Sequence, residues 1–189
     1  MPLSPHLAAR RAGLQSLSRH LDAEVRRLDT QVRECAHARP AAARLMTHPG
    51  VGPQTALATV LVLGPVERFP DKLHLTSYLG LSPEEDSSGK RQRFGHLTKQ
   101  GNRLMRFLLV EAAQTASRYD PRLKRAYRRL VFRKGAPIAK VAVARKLAIR
   151  LYIMLRDGID YEEFCRRGPV PDGAGRGSHA GMLGDVALV

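Results

Sequence analysis

Two serine hydroxyls stand before a glycine at Ser87-Ser88-Gly89, and cations follow closely at Lys90, Arg91, Arg93, Lys99 and Arg103. A serine oxygen attacks phosphorus poorly unless its proton is removed and unless cations neutralise the charge that builds on the phosphorane. The basic residues meet the second requirement. For the first, Asp86 and His96 are the groups at hand. The same stretch also reads as an ordinary basic loop in which Ser-Gly is turn chemistry, so the flanking sequence has to decide.

Upstream, Pro49-Gly50-Val51-Gly52-Pro53 makes a tight turn inside a helical pattern that runs over 45–63. Glycine tolerates positive φ and leaves its backbone N–H bare, and Pro53 suits the first turn of a new helix. Amides at a helix N-terminus bind phosphate readily. Gly50 and Gly52 are therefore candidate contacts to a nucleic-acid backbone, in the pattern of a helix-hairpin-helix that grips phosphates without reading sequence. A plain turn between two antiparallel helices would use the same residues.

The charge distribution supports a polyanionic partner. The 189 residues carry a formal net charge of +15. From Ser88 to Arg156 there are 19 Lys and Arg against only Glu111 and Asp120, so the excess belongs to one region. A basic patch of that kind is the electrostatic footprint of nucleic-acid binding, and Arg106, Arg145 and Lys146 join the candidates on helical stretches within it. Anionic lipid is a weaker fit, because the basic helices also have developed apolar faces of the kind a folded core requires. Cys35 and Cys165 are too few for a disulfide framework or a zinc site, and the seven histidines show no HxxxH or HExxH pairing. There is no run of 18 apolar residues and no apolar signal core, so the chain reads as cytoplasmic.

The elements that must position these residues read as helices. Over 7–36, Leu14, Leu21, Leu28 and Cys35 recur every seven residues with Val25 and Val32 interleaved, an apolar seam at the coiled-coil period. Such a helix serves either as a dimerisation arm or as one more helix packed on its own domain. A short helix is predicted over 71–78 with Gly80 as its cap, and a brief extended segment is possible over 90–97. From Asn102 a helix buries Leu104, Met105, Leu108, Leu109, Ala112, Ala113 and Ala116. Asp120-Pro121 restarts the chain as cap and first helical residue. Leu123, Ala126, Tyr127, Leu130 and Val131 face inward there, and Lys124, Arg125, Arg128, Arg129 and Arg133 outward. Pro137 opens a last long helix to Asp157, with Ile138, Val141, Ala142, Ala148, Leu151, Tyr152 and Leu155 inward. The fold class is all-α: a compact helical domain over 45–167, an N-terminal arm over 1–44, and a Gly-rich tail over 168–189 whose composition predicts disorder.

Taken in order, these pieces resemble the C-terminal domain of the transposases of the insertion-sequence 110/116/902 group. The matching residues are Pro49-Gly-Val-Gly52 with Thr55-Ala56, Glu67-Arg-Phe69, Tyr78-Leu-Gly-Leu-Ser-Pro83, Ser88-Gly89, Lys99-Gln-Gly-Asn-Arg103, Met105-Arg106, Glu111-Ala-Ala113, Lys140, Ala142-Val-Ala-Arg-Lys-Leu147 and Tyr161. The resemblance implies that Ser88, immediately before the glycine, is a nucleophile in DNA strand cleavage and exchange through a phosphoserine link, with Ser87 as the shifted alternative. It also implies a structured guide RNA as partner; the apolar seam of the N-terminal helix, for its part, points to homo-oligomers formed through that helix. Family members resemble one another in carrying an N-terminal RuvC-like nuclease domain with four acidic metal ligands. That half is expected to be missing here, so no cofactor is expected in this chain and Mg²⁺ only with the nuclease domain. Asp22, Glu24, Asp29 and Glu34 instead lie on one helix's polar face. Two rival readings stay open: a non-catalytic nucleic-acid-binding module, and an inactive transposase remnant.

Overall fold

Helix caps and prolines divide the chain into its elements. The computed structural model describes residues 4–88, 91–97 and 101–168, and for 83–97 the backbone only. In order these are α1 (Pro5–His37), α2 (Pro40–Leu45), α3 (Pro53–Leu63), a 3₁₀ turn (Val66–Arg68), α4 (Lys72–Tyr78), strands β1 (Pro83–Ser88) and β2 (Arg91–Leu97), α5 (Arg103–Tyr119), α6 (Pro121–Lys134), α7 (Ala136–Arg156) and α8 (Tyr161–Arg167). Asp71, Asn102, Asp120 and Asp160 each accept hydrogen bonds from the first-turn amides of α4, α5, α6 and α8. Proline occupies the first turn of α1, α2, α3, α6 and α7, where its missing N–H is no loss.

The domain is helical, as its periodicity predicts, and α7 is its axis. Ala139, Val143, Ala144, Leu147, Leu151 and Met154 on α7 are fully buried, and α5, α6, α2, α4 and the 3₁₀ turn all pack against this helix. Truncating a core leucine such as Leu147 or Leu151 to alanine costs about 2–5 kcal/mol in a site of this kind. The Tyr152 hydroxyl donates to Phe69 O at 2.9 Å, fastening the 3₁₀ turn to α7. Arg68 lies over the Phe69 and Tyr78 rings at 4.6 Å from each, which ties the same turn to α4. Two residues expected inside are exposed: Leu104 and Ile138 sit in the first turns of α5 and α7, beyond the reach of the core.

The departure from an unbroken set of helices is one antiparallel hairpin, β1–β2. Its ladder pairs Glu85 with Phe94, Asp86 with Arg93, Ser87 with Gln92 and Ser88 with Arg91, with an irregularity between Pro83 and Glu85. The extended segment suggested over 90–97 thus has a partner strand in the acidic, serine-containing stretch before it.

Helix α1 is 33 residues long and has one buried residue, Ala36, close to its C-terminal end. Leu7, Leu14, Leu17, Leu21, Val25 and Leu28 are all at least half exposed. Its main contacts with the rest of the domain are with α3 and α2, and Gln54 Nε2 on α3 donates to Asp29 Oδ1 at 2.9 Å. Of the Gly-rich tail predicted to be disordered over 168–189, Gly168 is described, as the C-cap of α8, and 169–189 lie outside the described residues.

Candidate functional site

Glycine chemistry explains how the hairpin is mounted. Gly80 takes φ +64° and ends α4. A Cβ on Gly101 would come within 2.7 Å of Tyr78 O and 2.8 Å of Leu79 C, so only glycine lets the chain returning from β2 lie against the end of α4. Ser82 Oγ, just before β1, is within hydrogen-bond distance of Thr76 Oγ1 (3.1 Å) and Ser77 Oγ (3.2 Å) on α4. The hairpin is therefore an excursion whose two ends are pinned at the junction of α4 and α5. Ser88 closes β1 and is paired with Arg91, which opens β2. Arg93 is paired with Asp86. Lys90 and Lys99 lie outside the described residues.

Past the hairpin, Arg103 is exposed at the start of α5 and Arg106 follows one turn on, half-buried. Among the described residues, Arg106 Nη1 and Arg145 Nε are buried nitrogens without a hydrogen-bond partner. A second group of cations gathers around Lys146 on α7. Burial lowers the Lys146 pKa below the usual lysine range, and Arg129, Arg150, Arg145 and Lys72 lower it further by repulsion. Burial likewise lowers Arg145. Arg129, Arg145 and Lys146 make no ion pair among the described residues. Like charges held together in partly desolvated positions are costly, and an anion placed among them relieves the cost. The sequence pointed to Arg145 and Lys146; it did not show that Arg129 of α6 and Lys72 of α4 join them.

At the glycine turn, the two candidates differ. Gly50 has φ +89°, and a Cβ there would meet Ala116 N at 2.5 Å and Ala112 O at 2.7 Å. This glycine lets the turn press onto α5. Gly52 is exposed, has open space where a Cβ would go, and is the N-cap of α3 with no side-chain cap. Of the two, Gly52 is the one whose surroundings leave room for a ligand.

Beneath the turn lies a polar junction that sequence reasoning missed. Asp120, 1% exposed, accepts from Leu123 N at 2.6 Å, from Arg150 Nη1 at 2.6 Å and from the Tyr161 hydroxyl at 2.5 Å. Burial alone would raise its pKa, but the hydrogen bonds from Tyr161, Leu123 and Arg150 outweigh that and hold it below the usual carboxylate range. His48, equally buried, has Nδ1 2.9 Å from Pro49 O and Nε2 3.4 Å from Arg150 Nη1. Those partners fit a neutral ring whose Nδ1–H donates to Pro49 and whose Nε2 accepts from Arg150. Burial lowers the His48 pKa to about 4. The His48 ring meets Tyr161 edge-on at 4.6 Å, and Tyr161 N donates to Thr47 Oγ1 at 2.9 Å. Asp120 was readable as a cap, but no local pattern marks its pairing with Arg150, 30 residues away.

No group of three or more His, Cys, Asp and Glu able to hold a metal occurs among the described residues. Of the acids on α1, Glu24 pairs with Arg27 and Asp29 accepts from Gln54. No described helix is long and apolar enough to cross a membrane.

Residues 42–128 match the model of the Transposase IS116/IS110/IS902 family. Over that stretch, just under half of the chain, it is similar to this transposase family. The match spans the glycine turn, the hairpin and α5 and ends within α6. Among curated proteins, the chain is 34% identical over 138 residues to the insertion element IS110 uncharacterized 43.6 kDa protein of Streptomyces coelicolor, covering 72% of this chain and 34% of that one. It is 33% identical over 142 residues to a Pseudomonas aeruginosa protein named "Probable family 20 transposase", covering 71% and 41%. It is 28% identical over 131 residues to the transposase for insertion sequence element IS1111A of Coxiella burnetii, covering 67% and 36%. The chain thus spans about a third to two-fifths of the length of the curated relatives it matches.

Proposed function

We propose that this chain is the DNA-binding, serine-bearing part of a transposase acting in the movement of an insertion sequence, with Ser88 as nucleophile. The observation that carries this reading is the position of Ser88 at the end of β1, paired with Arg91, on a hairpin pinned at its base by Gly101. In the proposed step the Ser88 oxygen bonds to a backbone phosphorus while a phosphorus–oxygen bond of the strand breaks. The serine proton passes to a base, and the displaced oxygen takes a proton from that base or from solvent and leaves as a hydroxyl. Asp86 and His96, on the same hairpin, are the candidate bases. Arg91, Arg93, Lys90, Lys99 and Arg103 are candidates to neutralise the phosphorane charge. Mg²⁺ belongs in this reading to the nuclease domain of the family.

DNA binding in this reading rests on the half-buried cations. Arg106, Arg145 and Lys146 have guanidinium or ammonium groups with no carboxylate partner among the described residues, and phosphate oxygens would supply one. The segment α2–turn–α3 is read as a helix-hairpin-helix whose uncapped α3 N-terminus, at Gly52, meets the backbone. Helix α1 is read as a coiled-coil arm over 1–44 that joins copies of the chain, because its apolar seam is exposed along most of its length. A structured guide RNA completes the set of partners. Trapping on a suicide DNA substrate tests the reading. A covalent adduct that requires Ser88 supports it; DNA binding without an adduct supports the rival, a non-catalytic binding module.

A further inference from the structure

Phe132 on α6 is 93% exposed, the largest value of any bulky apolar residue among those described. It lies opposite the buried stripe of Leu123 and Leu130. On a helix its surface neighbours are residues three, four and seven positions earlier, here Arg129, Arg128 and Arg125. Helix α6 carries seven basic residues and no acidic one. Arg129 also belongs to the cation group around Lys146, so Phe132 sits one helical turn from the site read as holding phosphate.

We infer that this face of α6 is a stacking platform for an unpaired DNA strand, with a base on the Phe132 ring and phosphates on Arg125, Arg128 and Arg129. Every base has a π-face, and aromatic rings among cations are the means by which single strands are held without sequence preference. A duplex offers the ring no free base face along its length, and inserting the ring would cost a few kcal/mol of unstacking. A second copy of the chain is a poor occupant, since the same basic face would confront itself. The inference rests on the reading of the chain as a DNA-cleaving protein: cleavage at Ser88 releases a strand that must be kept from drifting away.

The chain contains no Trp, so Phe132→Trp introduces a single indole, excited selectively over the tyrosines, at the proposed platform. Oligodeoxythymidine should quench its emission, and the matching duplex should not. Phe132→Ala and Phe132→Leu should weaken oligodeoxythymidine binding ~5- to 150-fold and leave duplex affinity within about twofold. Their log-affinity against log-salt slopes should match the parent, whereas Arg128→Ala should lower the slope by about 0.7 on a single strand. Four results would overturn the inference: unchanged single-strand affinity in Phe132→Ala, an equal loss on duplex, tighter Phe132-dependent binding of an oligoribonucleotide of the same base sequence, or a change in oligomeric size. A Ser88 adduct that still forms in Phe132→Ala while single-strand affinity is unchanged removes the platform and leaves the nucleophile standing.

Discussion

Arg150 Nη1 lies 2.6 Å from Asp120 Oδ2, and the same oxygen accepts the Tyr161 hydroxyl at 2.5 Å. One carboxylate thus fastens the corner between α5 and α6 to α7 and to α8. Removing one member of a buried pair leaves an uncompensated charge, which costs about 3–5 kcal/mol. Arg150→Met should lose that much in urea denaturation. Adding Asp120→Asn should recover a large part of it, because asparagine keeps the N-cap of α6 and carries no charge. A single variant within about 1 kcal/mol of the parent would show that the pair is not buried as described.

His48 gives the fold a defined acid sensitivity. Its pKa falls from the ordinary 6.5 to about 4 in the folded chain, chiefly through burial. The unfolded chain therefore takes up the proton first as pH drops. The stability this site contributes is whole above pH 6.5 and is lost between there and about pH 4, with a ceiling on the order of 3 kcal/mol. Below that, protonation of Asp120 extends the loss, since its folded pKa is lowered too. Denaturation midpoints of His48→Asn across this range should show a flatter slope than the parent. Parallel slopes would contradict the buried neutral imidazole.

The two glycines of the turn should separate folding from binding. Gly50→Ala must take φ +89° and meet the α5 backbone, a loss of about 2 kcal/mol or more. Gly52→Ala has open space and should cost less than about 1 kcal/mol. Thermal melts of both variants decide this, and the stable Gly52→Ala protein can then be assayed on duplex DNA.

The seam of α1 should determine assembly. Leu21→Asp and Leu28→Asp each place a charge on an apolar line already half exposed. Their effect on the folded domain should be small, because α1 buries only Ala36. Light scattering should show a smaller species than the parent. An unchanged size would mean that the seam does not join copies.

Much of the helical frame was legible because its punctuation is local. The start of the helix over 71–78, Asn102 and Asp120-Pro121 are signals that work within a single turn, and the structure caps a helix at each of them. Long-range facts were not legible. The stretch Pro83-Glu-Glu-Asp-Ser-Ser88 lacks the apolar alternation that marks a strand, so β1 is recognisable only through its pairing with β2. Arg145 and Lys146 read as part of a basic patch, but the sequence does not show that they are half-buried among other cations. Phe132 reverses the usual expectation for an aromatic residue and faces outward. Charge and aromaticity depart from their default places where a partner is proposed, and a single chain cannot reveal that by periodicity.

The most direct test of Ser88 is whether it becomes bonded to DNA. A suicide substrate, nicked so that the cleaved strand cannot be resealed, should trap the protein as a DNA adduct that survives denaturation. The experiment should be run with the chain alone and with a family nuclease domain and guide RNA supplied. The account predicts an adduct whose phosphorylated peptide maps to Ser88, lost in Ser88→Ala and kept in Ser87→Ala. Absence of any adduct under the complete conditions, or an adduct that persists in Ser88→Ala, would contradict it.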